Sequence, residues 1–115
     1  MENMIRNKDM LTKKHLLLLT LISKVKSAKT LYNIDQILSR LGYYMYNSLD
    51  LLKELQSFHL VEHDSHNETC KSYYKCTDIG AKYVDDNLEL YYEELKEMVE
   101  NKFLFIKIIP NEKNI

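Results

Sequence analysis

Turn-forming residues are scarce in this chain of 115 residues, which has two glycines and one proline. A β-rich fold of this length needs more of them at its turns, so the composition favours a mainly helical fold. The longest apolar run, residues 16–19 extended by Leu21 and Ile22, is too short to span a bilayer. The chain also begins without the charged and then apolar segment of an export leader. We therefore expect a cytoplasmic protein with no membrane contact.

Cysteine is rare as well, and neither sign of charge predominates. The two cysteines are expected to remain thiols in a cytoplasmic protein. The formal net charge is −1, but residues 1–82 have 12 lysines and arginines against 9 carboxylates, whereas residues 83–115 have 4 against 8. A mildly basic body with an acidic C-terminal segment suits a protein that meets phosphate with one face only.

Catalytic motifs are absent from the sequence, which has neither a Gly-rich phosphate loop nor a nucleophile elbow. We expect the protein not to be an enzyme and to need no cofactor. One group of residues has the ligand types that zinc prefers. Its spacing lacks a Cys-x-x-Cys pair, so we predict no bound metal and keep a metal or thiol sensor as an alternative. The group comprises His59, His63, His66, Cys70 and Cys76.

The first helix is predicted to start at Lys13, with Thr12 as its N-cap. Its apolar positions leave only one narrow polar face, so this helix should be largely buried. Residues 26–30 read as a connector. Leu31 and Tyr32 are predicted to form a short strand after it.

The second helix is predicted to begin at Asn33, a good N-cap, and to end at Gly42, where a left-handed residue closes a helix. A third helix is predicted from about Tyr44 to Ser57. Its apolar residues recur at three- and four-residue steps and should face the core. They are Met45, Leu49, Leu52, Leu55 and Phe58.

A β-hairpin and a long helix are predicted for the remainder of the chain. Residues 60–64 and 72–76 are candidate strands on either side of a polar tip, residues 65–71. Thr77 should cap a single last helix that continues to residue 109, and Pro110 marks its end.

Two short helices joined by a Gly-containing turn predict a helix-turn-helix, whose second helix enters the major groove of DNA. Three tyrosines in four residues at its start cannot all face one core. The alternative is that they pack against the second helix or a partner subunit. On the hairpin, a solvated tip is the alternative to DNA contact, because Asp64 and Glu68 would repel phosphate. The predicted DNA-binding residues are Arg40, Tyr43, Tyr44, Tyr46, Asn47, Lys53 and Lys71, with Lys13, Lys14, Lys29 and Lys75 as further candidates for phosphate contacts.

The predicted last helix has an acidic face, which is too negative to lie on DNA. Its apolar stripe is longer than one small domain needs to cover. We expect a second copy to cover it in a two-fold dimer, which would place two recognition helices one DNA turn apart. The alternative is that the stripe covers the first helix of the same chain. The predicted dimer contacts are Leu88, Tyr91, Leu95, Met98 and Phe105.

Two motifs frame the predicted hairpin. The first reads Leu52-x-x-Leu55-x-x-x-His59-Leu60-Val61, and the second reads Tyr74-x-Cys76-Thr77-x-x-Gly80. Together they resemble the signature L-x-x-L-x-x-x-G-L-[VI] followed by Y-x-[LV]-T-x-x-G of winged helix-turn-helix regulators, in the style of the PadR and MarR groups. The chain departs from this signature where His59 replaces glycine and Cys76 replaces an aliphatic residue.

The resemblance implies a mainly α fold with a small β-wing. Residues 12–82 would form the DNA-binding domain and residues 83–109 a C-terminal dimerisation helix, between a flexible N-terminus (residues 1–11) and a tail (residues 110–115). The implied function is sequence-specific binding of double-stranded DNA by a homodimeric transcriptional regulator, in most cases a repressor. Two alternatives stay open: a plasmid or phage centromere-binding partition protein, similar to TubR, and a winged helix used only for protein contacts.

Overall fold

The computed structural model describes residues 11–64 and 73–111. Within these ranges it is mainly helical, with one small two-stranded antiparallel sheet, as the composition predicts. Lys71, His66, Cys70 and the predicted hairpin tip lie outside the described residues. The elements are α1 (Lys13–Lys24), α2 (Leu31–Leu41), α3 (Ser48–Ser57), β1 (Val61–Asp64), β2 (Tyr73–Cys76), α4 (Asp78–Met98) and α5 (Lys102–Ile108).

Helix α1 is the centre of the core, as its narrow polar face predicts. Thr12 caps it through a capping box in which His15 takes the position that Glu or Gln has in most such boxes. Every residue from 15 to 22 is buried. The helix packs against both α4 and α3.

The connector before α2 differs from the prediction. Leu31 and Tyr32 form the first turn of α2 and not a strand, and Thr30 replaces Asn33 as the N-cap. The Thr30 hydroxyl accepts the Asn33 backbone N–H at 3.1 Å, so the helix can begin three residues earlier. One strand-like contact is nevertheless present, because the Tyr74 N–H of β2 donates to the Lys29 carbonyl at 2.7 Å.

The predicted start of the third helix is also wrong, because α3 begins at Ser48 and not near Tyr44. Gly42 ends α2 as predicted, with a left-handed φ of 77°. The Gly42 and Tyr43 N–H groups both donate to the Leu38 carbonyl, which turns the chain away from the helix axis. Residues 42–47 then form a six-residue connection, here named the tyrosine turn.

Helix α3 passes into the hairpin through a close-packed junction, defined here as His59, Leu60, Thr77 and Gly80. His59 has a φ of 62°, the left-handed conformation that glycine adopts without strain. It stands where the winged-helix signature has glycine. The strands then pair with Val61 opposite Cys76 and Asp64 opposite Tyr73.

The last predicted helix is two helices. Helix α4 starts after Thr77, as predicted, but ends at Met98, and α5 begins at Lys102. The Asn101 side chain caps α5 by accepting the Leu104 N–H at 3.0 Å, and the Asn101 N–H donates to the Leu41 carbonyl at 2.9 Å. In a continuous helix the Asn101 N–H would donate to a carbonyl of the same helix. Because it donates to α2 instead, the helix is interrupted here.

Helix α5 folds back on α4 and closes the core. The rings of Tyr92 and Phe105 meet edge to face at 5.3 Å, and the Tyr92 hydroxyl donates to the Ile109 carbonyl. Leu95 and Phe105 are both fully buried within the one chain. They were predicted as dimer contacts, but in this conformation neither side chain is accessible to a second copy.

No helix among residues 11–64 and 73–111 combines the length and the apolar character needed to cross a bilayer.

Candidate nucleic-acid interface

The candidate interface is the outer surface of α2, the tyrosine turn and α3, named here the α2–α3 surface. Most apolar residues of both helices face inward, so the polar residues of each are left outside. The prediction that Leu49 faces the core is wrong: Leu49 is 41% exposed, and Leu51 is buried instead. The Ser48 hydroxyl donates to Asp35 at 3.0 Å, which ties the start of α3 to the first turns of α2. The buried residues are Ile34, Leu38 and Leu41 on α2 and Ser48, Leu51, Leu52 and Leu55 on α3.

The tyrosines predicted to contact DNA divide into two groups. Tyr44 is 77% exposed and Tyr46 is 98% exposed. Tyr43 is half-buried against the core, and this burial raises the pKa of its hydroxyl. The alternative, that the tyrosines pack within the chain, therefore holds for Tyr43. It does not hold for Tyr44 or Tyr46, whose aromatic rings face solvent.

Asn47 occupies the N-cap position of α3 without acting as a side-chain cap. It is exposed, and its amide makes no hydrogen bond to another described residue. Arg40 at the end of α2 and Lys53 on α3 are exposed in the same way. These three polar side chains are therefore available to an external partner, and removing them should cost the fold little.

The α2–α3 surface is polar and aromatic and has no cationic excess. Arg40 and Lys53 are balanced by the carboxylates of Asp35, Asp50 and Glu54. Asp35 accepts the Ser48 hydroxyl, Glu54 binds His15, and Asp50 lies in the first turn of α3, where the helix dipole favours an anion. Any phosphate contact here depends on two cations.

The further lysines predicted as phosphate contacts differ in their surroundings. Lys13 is paired with Glu94 at 3.3 Å and Lys75 with Glu62 at 3.8 Å, whereas Lys14 and Lys29 are exposed without an ion pair in the described chain. Exposed pairs of this kind are worth about 0–1 kcal/mol, so phosphate could displace either carboxylate at little cost.

A contact that was not predicted from the sequence holds α3 against α1. His15 is 6% exposed, and its Nδ1 accepts the Thr12 backbone N–H at 3.0 Å. The ring proton then lies on Nε2, which donates to the Glu54 carboxylate at 2.5 Å. A histidine three residues after a threonine cap could have indicated the first contact, but Glu54 is 39 positions away in the sequence.

The hairpin contains part of the group of histidines and cysteines that was considered as a possible zinc site. The rings of His63 and Tyr74 stack at 4.6 Å across the two strands, and Cys76 is half-buried. Burial raises the pKa of the Cys76 thiol, which makes it less reactive. His66 and Cys70 lie outside the described residues, and no three potential ligands cluster elsewhere in residues 11–64 and 73–111.

The other predicted dimer contacts line two separate cavities beside α4. Tyr91 and Met98 line an open groove of about 870 Å³ that also contacts Asn47, Leu51 and the start of α1. Leu88 lines a separate, smaller cavity of about 380 Å³ beside Ile109. Leu88 and Met98 are half-buried within the one chain, whereas Tyr91 is exposed.

Comparisons with known proteins give one partial similarity. No family model and no solved structure matches the chain. Over 59 residues the chain is 36% identical to an uncharacterized protein of Acanthamoeba polyphaga mimivirus. The matched segment is 51% of this chain and 32% of the viral protein, so the chain corresponds to about a third of that protein's length.

Proposed function

We propose that this chain is a winged helix-turn-helix protein that binds double-stranded DNA through the α2–α3 surface and acts as a homodimeric transcriptional repressor. The observation that carries the proposal is the exposed set Tyr44, Tyr46 and Asn47 at the start of a helix that is anchored by the buried Leu51, Leu52 and Leu55. Residues of this kind at this end of the second helix are the ones that read base edges in helix-turn-helix proteins.

The order of the elements supports the winged-helix part of the proposal. Three helices precede an antiparallel pair of strands, and the connector between α1 and α2 bonds to β2 through the Lys29 carbonyl. That connector is where a third strand would lie beside the returning strand of the wing. The left-handed His59 at the end of α3 supplies the turn that glycine supplies in the signature.

The chemistry of the α2–α3 surface suits sequence recognition better than general attraction to phosphate. An asparagine amide can pair in a bidentate manner with adenine, and a tyrosine can donate to phosphate or contact a thymine methyl. Arg40 and Lys53 would bind phosphate on either side. Since only two cations are available, non-specific affinity should be weak and its salt dependence shallow.

A second candidate function is protein binding through the same surface. Three carboxylates against two cations favour it, since DNA repels carboxylates. Exposed tyrosines are also common in protein interfaces. The two candidates differ in salt dependence: duplex DNA releases counterions on binding, whereas a polar–aromatic protein contact changes little with salt.

The proposal is tested by selecting duplexes from a random-sequence pool and measuring the affinity of the selected duplex over a range of salt concentrations. Arg40→Ala and Lys53→Ala should each weaken binding and reduce the salt slope by about 1. Lys82→Ala is the matched control, because Lys82 lies on acidic α4 and pairs with Asp86. If no sequence were selected, and if the affinity of the chain for duplex DNA did not depend on salt, the result would favour the protein-contact function.

The genomic arrangement of the selected sequence distinguishes the regulator from a partition protein. A repressor should protect one or two palindromic sites in a footprint of the DNA flanking its gene. A centromere-binding protein should protect a long array of repeats.

A further inference from the structure

The outward face of α5 is apolar although the helix is already packed on its other side. Phe103 is 84% exposed and Ile106 is 46% exposed, whereas Phe105 and Ile109 are buried. Phe103, Ile106 and the exposed Lys107 are three or four positions apart and share one face of the helix, named here the α5 stripe. Two large apolar side chains exposed on one helix face form an apolar surface that a partner can cover.

Helix α5 and its neighbour α4 have net charges of opposite sign. Helix α5 has two lysines and no carboxylate, whereas α4 has two lysines against seven carboxylates, a net charge of −5. Lys102 lies 4.0 Å from Glu97 of α4 in the same chain, so Lys107 is the cation of α5 without an ion pair among the described residues. The exposed Leu90 of α4 lies one turn from Asp86, Glu93 and Glu94. Two copies of α4 placed face to face would therefore bring like charges together, which opposes pairing through that helix.

We propose that the α5 stripe is covered by a second copy of this chain, in a two-fold dimer in which Phe103 and Ile106 pack across the axis. Lys107 of each copy then faces the acidic surface of α4 in the other, so the charges are complementary and the acidic helices stay apart. This inference rests on the proposed homodimer. It moves the interface from the buried Leu95 and Phe105 to residues that are accessible.

The placement of α5 links such a dimer to the α2–α3 surface. The Asn101 N–H donates to the Leu41 carbonyl at 2.9 Å, and its side-chain amide donates to the Arg40 carbonyl at 3.3 Å. Helix α5 therefore begins at the end of α2. A dimer through the α5 stripe would fix the separation and the relative orientation of the two α2–α3 surfaces.

Sedimentation velocity of the full chain across the micromolar range tests the proposal. The wild type should sediment as a dimer, and Phe103→Asp should weaken the dimer about 30-fold or more, because it places a charge in the centre of the interface. Leu90→Asp is the matched control: Leu90 is 72% exposed on α4, and the dimer should persist. Circular dichroism checks that both variants are folded, which their exposure predicts.

The charge pairing has its own test. Lys107→Glu should weaken the dimer about 3- to 10-fold at low salt, and the difference from the wild type should shrink as salt is added.

A monomeric wild type, or a Phe103→Asp variant that dimerises like the wild type, would overturn the proposal. Dissociation by Leu90→Asp alone would assign the interface to α4 instead. Duplex affinity, measured on the same samples, keeps this result separate from the DNA-binding proposal. A monomer with salt-dependent affinity removes the α5 interface and the homodimer but keeps DNA binding. A dimer that Phe103→Asp dissociates but that has no affinity for duplex supports the interface and removes only DNA binding.

Discussion

The two ends of α3 are built in opposite ways. At its start, Tyr44, Tyr46 and Asn47 are exposed and make no side-chain hydrogen bond to another described residue. Beyond its end, the chain enters the junction, where Thr77 binds both His59 and Leu60. The Thr77 hydroxyl donates to the His59 carbonyl at 2.7 Å, and the Thr77 N–H donates to the Leu60 carbonyl at 3.0 Å.

This difference separates residues that set stability from residues that are available for binding. Substitutions in the junction should lower the free energy of unfolding whether or not a partner is present. Substitutions of Tyr44, Tyr46 or Asn47 should leave the free energy of unfolding unchanged and affect binding alone. Four substitutions test this comparison, in order of expected effect.

The largest effect is expected from Gly80→Ala. A Cβ at Gly80 would lie 2.1 Å from the Leu60 carbonyl oxygen, which belongs to the backbone and cannot rotate away. We expect the free energy of unfolding to fall by about 3 kcal/mol. Urea denaturation measures it, and Ser39→Ala, an exposed helix position, is the control that should stay within about 0.5 kcal/mol of the wild type. A loss equal to the control would mean that the junction is not close-packed.

Asn47→Ala should act on binding and not on folding. The amide makes no cap hydrogen bond, so the free energy of unfolding should stay within about 0.5 kcal/mol of the wild type. Affinity for the selected duplex should fall by about 1–3 kcal/mol, with one base preference relaxed. Fluorescence anisotropy measures it. Asn87→Ala is the control with the same substitution on α4, where the amide donates to the Tyr83 carbonyl, and its affinity should be unchanged. Equal affinities of the two variants would remove Asn47 from the interface.

Thr77→Ala should lower the free energy of unfolding by about 1–2 kcal/mol, because it removes both the N-cap of α4 and the bond to His59. Thr77→Ser keeps the hydroxyl and should recover most of the loss. Urea denaturation of the pair decides whether the hydroxyl or the methyl group is responsible. If Ser were as unstable as Ala, the hydrogen bonds would not be the cause.

His59→Gly should have the smallest effect, and it should be stabilising. A residue with a Cβ in the left-handed conformation lowers the free energy of unfolding by about 1–2 kcal/mol, a loss that glycine avoids. The greater freedom of glycine in the unfolded chain offsets about 0.4–1 kcal/mol of that gain. We expect a net gain of about 0.5–1 kcal/mol, which His59→Ala should not show because it keeps the Cβ. A destabilised glycine variant would indicate that the exposed imidazole stabilises the junction.

Much of the fold could be predicted from local patterns. Thr12, Gly42 and Thr77 act as caps or stops where the sequence places them, and the two strands lie within the predicted ranges. The errors occur where a contact with a residue distant in the sequence determines the local structure. Residues 44–47 have the composition of a helix start, but Gly42 directs the chain away, and Ser48 is fixed by Asp35 on the preceding helix.

The candidate site was predicted in part. Tyr44, Tyr46, Asn47, Arg40 and Lys53 are exposed as expected, since aromatic and polar residues outside a leucine stripe have no place in the core. The burial of Tyr43, and the absence of a cationic excess around the site, depend on which side chains meet across α1, α2 and α3. No local pattern contains that information.

The sequence alone determined where α1 and α4 begin, where α2 and α3 end and that Leu52 and Leu55 are buried, because caps, glycines and apolar spacing act over three or four residues. Only the tertiary structure decided that the last helix breaks at Asn101, that Leu95 and Phe105 are used within one chain, and that the α5 stripe is left outside. Each of these depends on a bond or contact with α2 or within the α4–α5 pair, and whether such a contact forms is fixed by packing in space and not by neighbouring residues.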